Sequence, residues 1–243
     1  NGLALVEVED KWGYINEKGE EVIPPRFDEV KDFAANALAA VKVKDKWGYI
    51  NEKGKEVIPP RFDEAEDFAA NGLARVKVKG KYGYINEKGE EVISPRFDEA
   101  ESFAANGLAA VEMKDKRGYI EWGYINQKGK KVIPPRFDKA MPFAANGLAR
   151  VKVEDKWGYI NEKGKEIIPP RFGMAWDFAA NGLAQVVVKS NWTYIDSKWG
   201  YINEKGEEVI APRFDDAGLF AANGLAQVKV KDKWGYIRAR ALR

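Results

Sequence analysis

The chain has 243 residues, 45% hydrophobic and 32% charged, the balance of a soluble globular protein and not of a disordered or membrane-embedded one, and no apolar run approaches the roughly 20 residues a membrane span needs. Forty basic residues against 38 acidic leave a formal net charge of +2 with the signs interleaved, so there is no general electrostatic case for nucleic acid or anionic lipid as a partner. Neither cysteine nor histidine occurs, which removes disulfides, thiolate nucleophiles, soft-metal sites and the commonest general base, and leaves the redox compartment open.

One block of 35 residues recurs along the whole chain, and it overrides any prior from length. Trp12 and Trp47, Trp122 and Trp157, and Trp199 and Trp234 each lie 35 apart, with Tyr82 and Arg117 assigned to the same slot. Six full copies and a partial seventh predict a single array over residues 1–243, in which each unit buries its apolar surface only against its neighbours. The chain begins at Asn1, inside a repeat and without an initiator Met, which is the expectation for a chain whose leader or preceding domain has been removed.

In the second copy, Leu38–Val43 (LAAVKV) and Lys46–Asn51 (KWGYIN) read as strands joined by the two-residue turn Lys44-Asp45. Lys53-Gly54 reads as a second tight turn, leading into a short strand at Glu56–Pro60 that ends in prolines unable to donate to a ladder. Counting outward from two-residue loops pairs Lys42 with Trp47, Val41 with Gly48, Tyr49 with Ile58 and Ile50 with Val57. One face then carries Ala39, Val41, Val43, Ile50 and Val57, the other Leu38, Ala40, Trp47, Tyr49 and Ile58. Both faces are apolar, so each sheet needs a cover on both sides, and the next copy is the natural one. Phe62, Ala65 and Phe68 then follow at a helical or 3₁₀ spacing, although the segment equally suits a fourth short strand. Asn71-Gly72 turns into the next unit; Asn36-Ala37 holds that place in the first copy, where a positive φ would be strained.

Two copies break the period. A second WGYI begins at Trp122, five residues after Arg117, and another at Trp199, seven after Trp192. Odd offsets inside a strand would invert every side chain, so a loop-out or bulge is expected at each.

The succession KWGYI, N-x-K-G-x-x-V-I-x-P, RFD and F-x-x-N-G-L-A-x-V resembles the bacterial WG-repeat (KWG-repeat) proteins over essentially the whole chain. Departures are local: Tyr82, Arg117 and Thr193 replace motif Trp or Gly, Ser94 and Ala211 the first Pro, and Gly173 the Asp of RFD. The resemblance implies an all-β array of three- to four-stranded antiparallel meanders, for which a β-propeller-like toroid is preferred here to an open β-spiral or solenoid. It implies no shared catalytic residues. Residues 223–237 match residues 1–15, so the ends overlap instead of completing one another.

Chemistry-bearing patterns are few. No glycine stretch matches the phosphate-binding loop G-x-x-x-x-G-K-[ST], and the recurring carboxylates Asp28, Asp63, Asp98, Asp138 and Asp215 occupy copies of one environment, where an acid and a base need two. The Arg-Phe-Asp triplets read as Arg–Asp pairs stitching copies together in preference to a row of anion-binding guanidiniums. In that reading Arg171 loses its partner to Gly173 and becomes a possible contact residue. Trp47 and Tyr49 read as core and not as a sugar-stacking platform. Trp176 occupies a slot held elsewhere by Lys31, Glu66 and Glu101, and is the second possible contact residue. The lysines interleave with Glu and Asp as a solvated face.

These readings predict a non-catalytic scaffold, with neither cofactor nor metal, presenting one surface many times to a protein or extended polymer. The alternatives are a structural, self-assembling segment of a larger surface or filament protein that associates through its terminal repeats, and a glycan-binding, lectin-like module.

Overall fold

The computed structural model describes residues 2–115, 117–188 and 197–239, all strands, turns and bends. Residues 1–135 and 136–243 form two compact units. The first sheet comprises β1 (Leu3–Val8), β2 (Lys11–Asn16) and β3 (Glu21–Phe27); the second comprises β4 (Glu29–Val30), β5 (Leu38–Val43), β6 (Lys46–Asn51) and β7 (Glu56–Phe62), in that spatial order. All pairings are antiparallel. Sheets at 64–97 and 108–137 follow, the last strand of the latter crossing the boundary between the units; the second unit then holds sheets at 139–172, 174–214 and 216–238.

Local chemistry accounts for the meander. Lys44 and Asp45 both take positive φ, 49° and 64°, as a type I′ hairpin turn requires, and the register Val41↔Gly48 and Lys42↔Trp47 follows as expected. The second turn is longer than the expected two residues. It runs from Asn51 to Lys55, whose carbonyl accepts from the Asn51 N–H at 3.0 Å, while the Asn51 side-chain oxygen accepts from the N–H groups of Lys53 and Lys55. The segment after the prolines is the short-strand alternative: Glu64-Ala65 pairs with Lys77-Val76 of its own sheet, so β4 and its equivalents supply the fourth strand. Ala37 takes φ 60°, the strained outcome, where the other copies place glycine.

The third strand departs most from the expected register. Tyr49 faces Ile58, but Ile50 faces Glu56 and Trp47 faces Phe62. Val57 is therefore an extra residue, and Pro59, Pro60 and Arg61 stand together opposite Gly48. The first bulge corrects the expected facing of Val57, which is 40% exposed and not part of a buried face. The second explains the glycine of WG. A Cβ on Gly48 would lie 2.5 Å from the Ile58 carbonyl oxygen and 2.6 Å from the Pro60 nitrogen. Only glycine lets the strand cross there.

Face-to-face stacking of copies is observed. In the first unit Tyr14, Ile23 and Phe27 pack on Ala39, Val41 and Ile50, and the opposite face of the second sheet (Leu38, Trp47, Tyr49, Ile58, Phe62) packs on Ala74, Val76 and Ile85. Tyr84, Ile93 and Phe97 repeat this against Ala109, Val111 and Ile125. In the second unit Tyr159, Ile168 and Phe172 meet Ala184, Val186 and Ile202, and Tyr201 and Phe214 meet Ala226 and Val228. Five motif tyrosines also reach onto the segment that opens the following sheet. The Tyr49 hydroxyl donates to the Glu66 carbonyl at 2.6 Å and its ring lies 4.9 Å from Phe68, with the same pair at Tyr14, Tyr84, Tyr159 and Tyr201. Burial pushes these phenols up, that of Tyr201 to about 12.

The break at 117–122 is a loop-out, as expected. Strands Leu108–Lys114 and Ile120–Asn126 extend one residue beyond the usual hairpin, and Glu112↔Trp122 preserves the motif register. Trp122, and not Arg117, thus holds the motif slot. The tip reuses the Asn51 design: the Asp115 carboxylate accepts from the N–H groups of Arg117 at 2.7 Å and Tyr119 at 2.9 Å, with Gly118 at φ 89°. The break at Trp192–Asp196, including Thr193, lies outside the described residues.

Candidate functional site: grooves between adjacent sheets

The expected Arg–Asp pairs are not formed. The bulge carries the Arg of RFD toward the following sheet, where its guanidinium donates to the carbonyl of the turn glycine: Arg26 to Gly54 at 2.7 Å, Arg61 to Gly89 at 2.5 Å, Arg96 to Gly129 at 3.0 Å, and Arg136 to Gly164. Each also lies over its own neighbouring Phe ring, 4.9 Å for Arg61. The Asp instead takes the lysine that opens the WG strand, Lys11 on Asp28 and Lys46 on Asp63 at 2.5 Å, and the Lys44 N–H donates to Asp28 at 2.8 Å. Those lysine bonds hold both carboxyls below the usual carboxylate range. The pairs are largely solvated, so they orient more than they stabilise.

Arg171 follows the same rule despite Gly173. Its Nη2 donates to the Gly206 carbonyl at 2.6 Å and the guanidinium lies 4.9 Å from the Phe172 ring, so loss of the Asp does not release it. Trp176 is half-buried, its ring 4.7 Å from that of Trp199 at 34°. The same slot in the second sheet places the Lys31 ammonium 5.7 Å over the Trp47 ring. Trp176 is therefore a cover for the motif tryptophan of its own sheet. Arg171 and Trp176 are not brought together as one site. The motif rings of the second sheet are core, Trp47 being 9% exposed and Tyr49 1%.

Between adjacent sheets a groove opens beside the arginine. At the first junction it measures about 270 Å³ and is lined by Arg26, Phe27, Val43, Ile50, Gly54 and Glu56. The equivalent groove between the third and fourth sheets measures about 490 Å³, and Arg96, Phe97, Met113, Ile125, Gly129 and Lys131 take the corresponding places. Two changes distinguish it. The extended hairpin adds Lys114 and Ile120 to its rim, and Lys131 replaces the glutamate found at 21, 56, 91, 166 and 208. Sequence reasoning passed over this groove, although the broken glutamate column was a readable signal. Among the described residues no group of three or more His, Cys, Asp or Glu is placed to hold a metal ion, and no helix is long and apolar enough to cross a membrane.

No curated protein matches the chain in sequence. Among solved structures it resembles a eukaryotic initiation factor (TM-score 0.52, 13% identity, covering 83% of this chain and 60% of that one). It also resembles Hsv2p of Kluyveromyces lactis (0.51, 12%, 87% and 74%) and Hsv2 of Kluyvelomyces marxianus (0.51, 12%, 98% and 94%). At such identities the likeness concerns the fold alone: these neighbours are β-propeller-like, and the chain is all-β as they are. The WG containing repeat matches residues 12–47, 47–82, 82–116, 122–157, 157–192 and 199–234, each span beginning at a motif aromatic. On that match the chain belongs to the WG-repeat family.

Proposed function

We propose that the array is a non-catalytic scaffold that binds a protein or an extended polymer through the same surface presented many times. The observation that carries this is the bulged edge strand. Val22, Val57, Val92 and Val132 are all exposed at the same edge position in the first unit, although the bulge frees that position from any packing demand. Prolines at 24–25, 59–60, 95 and 134–135 follow them and block strand addition, so side chains and not backbone offer the contact. Weak identical contacts in a row gain strength by avidity.

The test is affinity capture with the wild-type chain beside a variant carrying Val22, Val57, Val92 and Val132 all as lysine. Partners retained by the wild type and lost by the equally folded variant support the reading; an unchanged set of partners defeats it. A second reading, self-association, is supported by the last sheet, where Trp234 is 52% and Tyr236 71% exposed. Light scattering over a concentration series separates the two, since self-association predicts a mass that grows with concentration.

A further inference from the structure

We propose that the groove between the third and fourth sheets binds a small amphipathic anion, a carboxylate with an apolar body. Its volume, about 490 Å³, lies within the range of small-molecule sites, about 300–1,000 Å³. Phe97, Met113 and Ile125 form an apolar floor, and Ile120 stands 57% exposed at the rim, a cost that an apolar ligand would relieve.

The widening has a structural cause. In three other copies the Asp of RFD accepts a backbone N–H from the next hairpin, Asp28 from Lys44, Asp63 from Gly80 and Asp215 from Lys231. The extended hairpin of the fourth sheet does not close in this way; among the described residues Asp98 accepts only from Lys81, and its side chain is more exposed than those of Asp28, Asp63 and Asp215.

Charge selects the ligand's sign. Lys114 and Lys131 join Arg96 at this opening, whereas at the first junction Arg26 is offset by Glu56, so the lining charges cancel there and leave a positive excess here. Asp98 and Glu112 also line the groove, which favours a single carboxylate over a polyanion.

The test is calorimetric titration of the whole chain with decanoate, decanol and decyltrimethylammonium, each below its micelle-forming concentration. Decanoate is expected to bind at one site per chain, with the other two at least about tenfold weaker. Lys131→Glu, which restores the residue of the other copies, should weaken decanoate about tenfold, or about 1.4 kcal/mol. Ile120→Ser at the exposed rim should weaken it as well, while Lys18→Glu in a distant exposed turn should leave it unchanged. Absence of decanoate binding, equal affinity for decanol, or indifference to Lys131→Glu in a variant of unchanged circular dichroism overturns the proposal.

Discussion

The glycine of the WG motif is open to a paired test because it stands in two environments. Alanine at Gly48 would place its Cβ 2.5 Å from the Ile58 carbonyl oxygen, 2.6 Å from the Pro60 nitrogen and 2.9 Å from the Pro59 carbonyl carbon. Ordinary contact begins at 3.4 Å, so the crossing strand must retreat by about 0.9 Å, and the atoms to be moved are backbone in a proline-stiffened segment. Overpacking of a sound core costs about 1–3 kcal/mol. Here the retreat also loosens the Trp47↔Phe62 and Tyr49↔Ile58 pairings, so a loss at or above about 3 kcal/mol is expected. Gly235 holds the same motif position in the last sheet, where among the described residues no strand equivalent to β7 crosses it, and a Cβ there meets nothing within 4 Å. Gly235→Ala should therefore stabilise by about 0.4–1 kcal/mol, through the lost freedom of the unfolded chain. Urea unfolding of both variants, with amide exchange at Tyr49 and Ile50 to localise the loss, measures the difference. Equal effects, or a Gly48→Ala loss below about 0.5 kcal/mol, would refute the crossing-strand account.

Ala37→Gly should raise stability by about 1 kcal/mol, since Ala37 alone of its equivalents pays for φ 60° with a Cβ; an unchanged urea midpoint would contradict this. Trp47→Ala should cost about 3–5 kcal/mol and the half-exposed Trp234→Ala less than about 1 kcal/mol, a contrast that denaturant unfolding resolves directly. Arg171→Ala and Arg61→Ala should cost the same within about 0.5 kcal/mol, because both guanidiniums donate to a turn carbonyl; a much smaller effect at Arg171 would mean that Gly173 has released it. Stability should fall at both ends of the pH scale. Asp28, Asp63 and Asp215 have carboxyls held down by lysine, so as pH drops through their folded values, below about 3.9, the unfolded chain takes up protons first; the buried tyrosines, held up, lose their contribution as pH rises past about 10. A urea midpoint flat from pH 3 to 11 would remove both assignments.

The hairpin and the stacking of copies were legible because each follows from local rules. Lys44-Asp45 set the register of β5 and β6 by turn chemistry alone, and two apolar faces at Leu38–Ile50 demanded a neighbour on both sides. The third strand was not legible in the same way. Alternation placed Val57 inside and Arg61 beside Asp63, yet both depend on bulges created where Pro59 and Pro60 cross Gly48. Nothing in the order of residues announces that crossing; a glycine between Trp and Tyr is the only mark it leaves. The Arg61 guanidinium consequently finds Gly89 in the next copy, 28 residues on, where the sequence offered Asp63 two residues away.

Departures from the repeat divide by whether they move the backbone. Gly173 and Trp176 alter side chains within a preserved frame: Arg171 keeps its carbonyl and Trp176 covers Trp199 much as Lys31 covers Trp47. The insertion before Trp122 is different. It lengthens a hairpin, withdraws its turn from Asp98 and enlarges the groove that Lys131 then charges. In an array whose copies answer to the same packing constraints, a changed side chain is absorbed by its neighbours, whereas a changed backbone leaves space. Among the described residues the fourth sheet is where this chain stops repeating itself in shape, and that is the physical reason to look for a distinct ligand there before looking at Arg171 or Trp176.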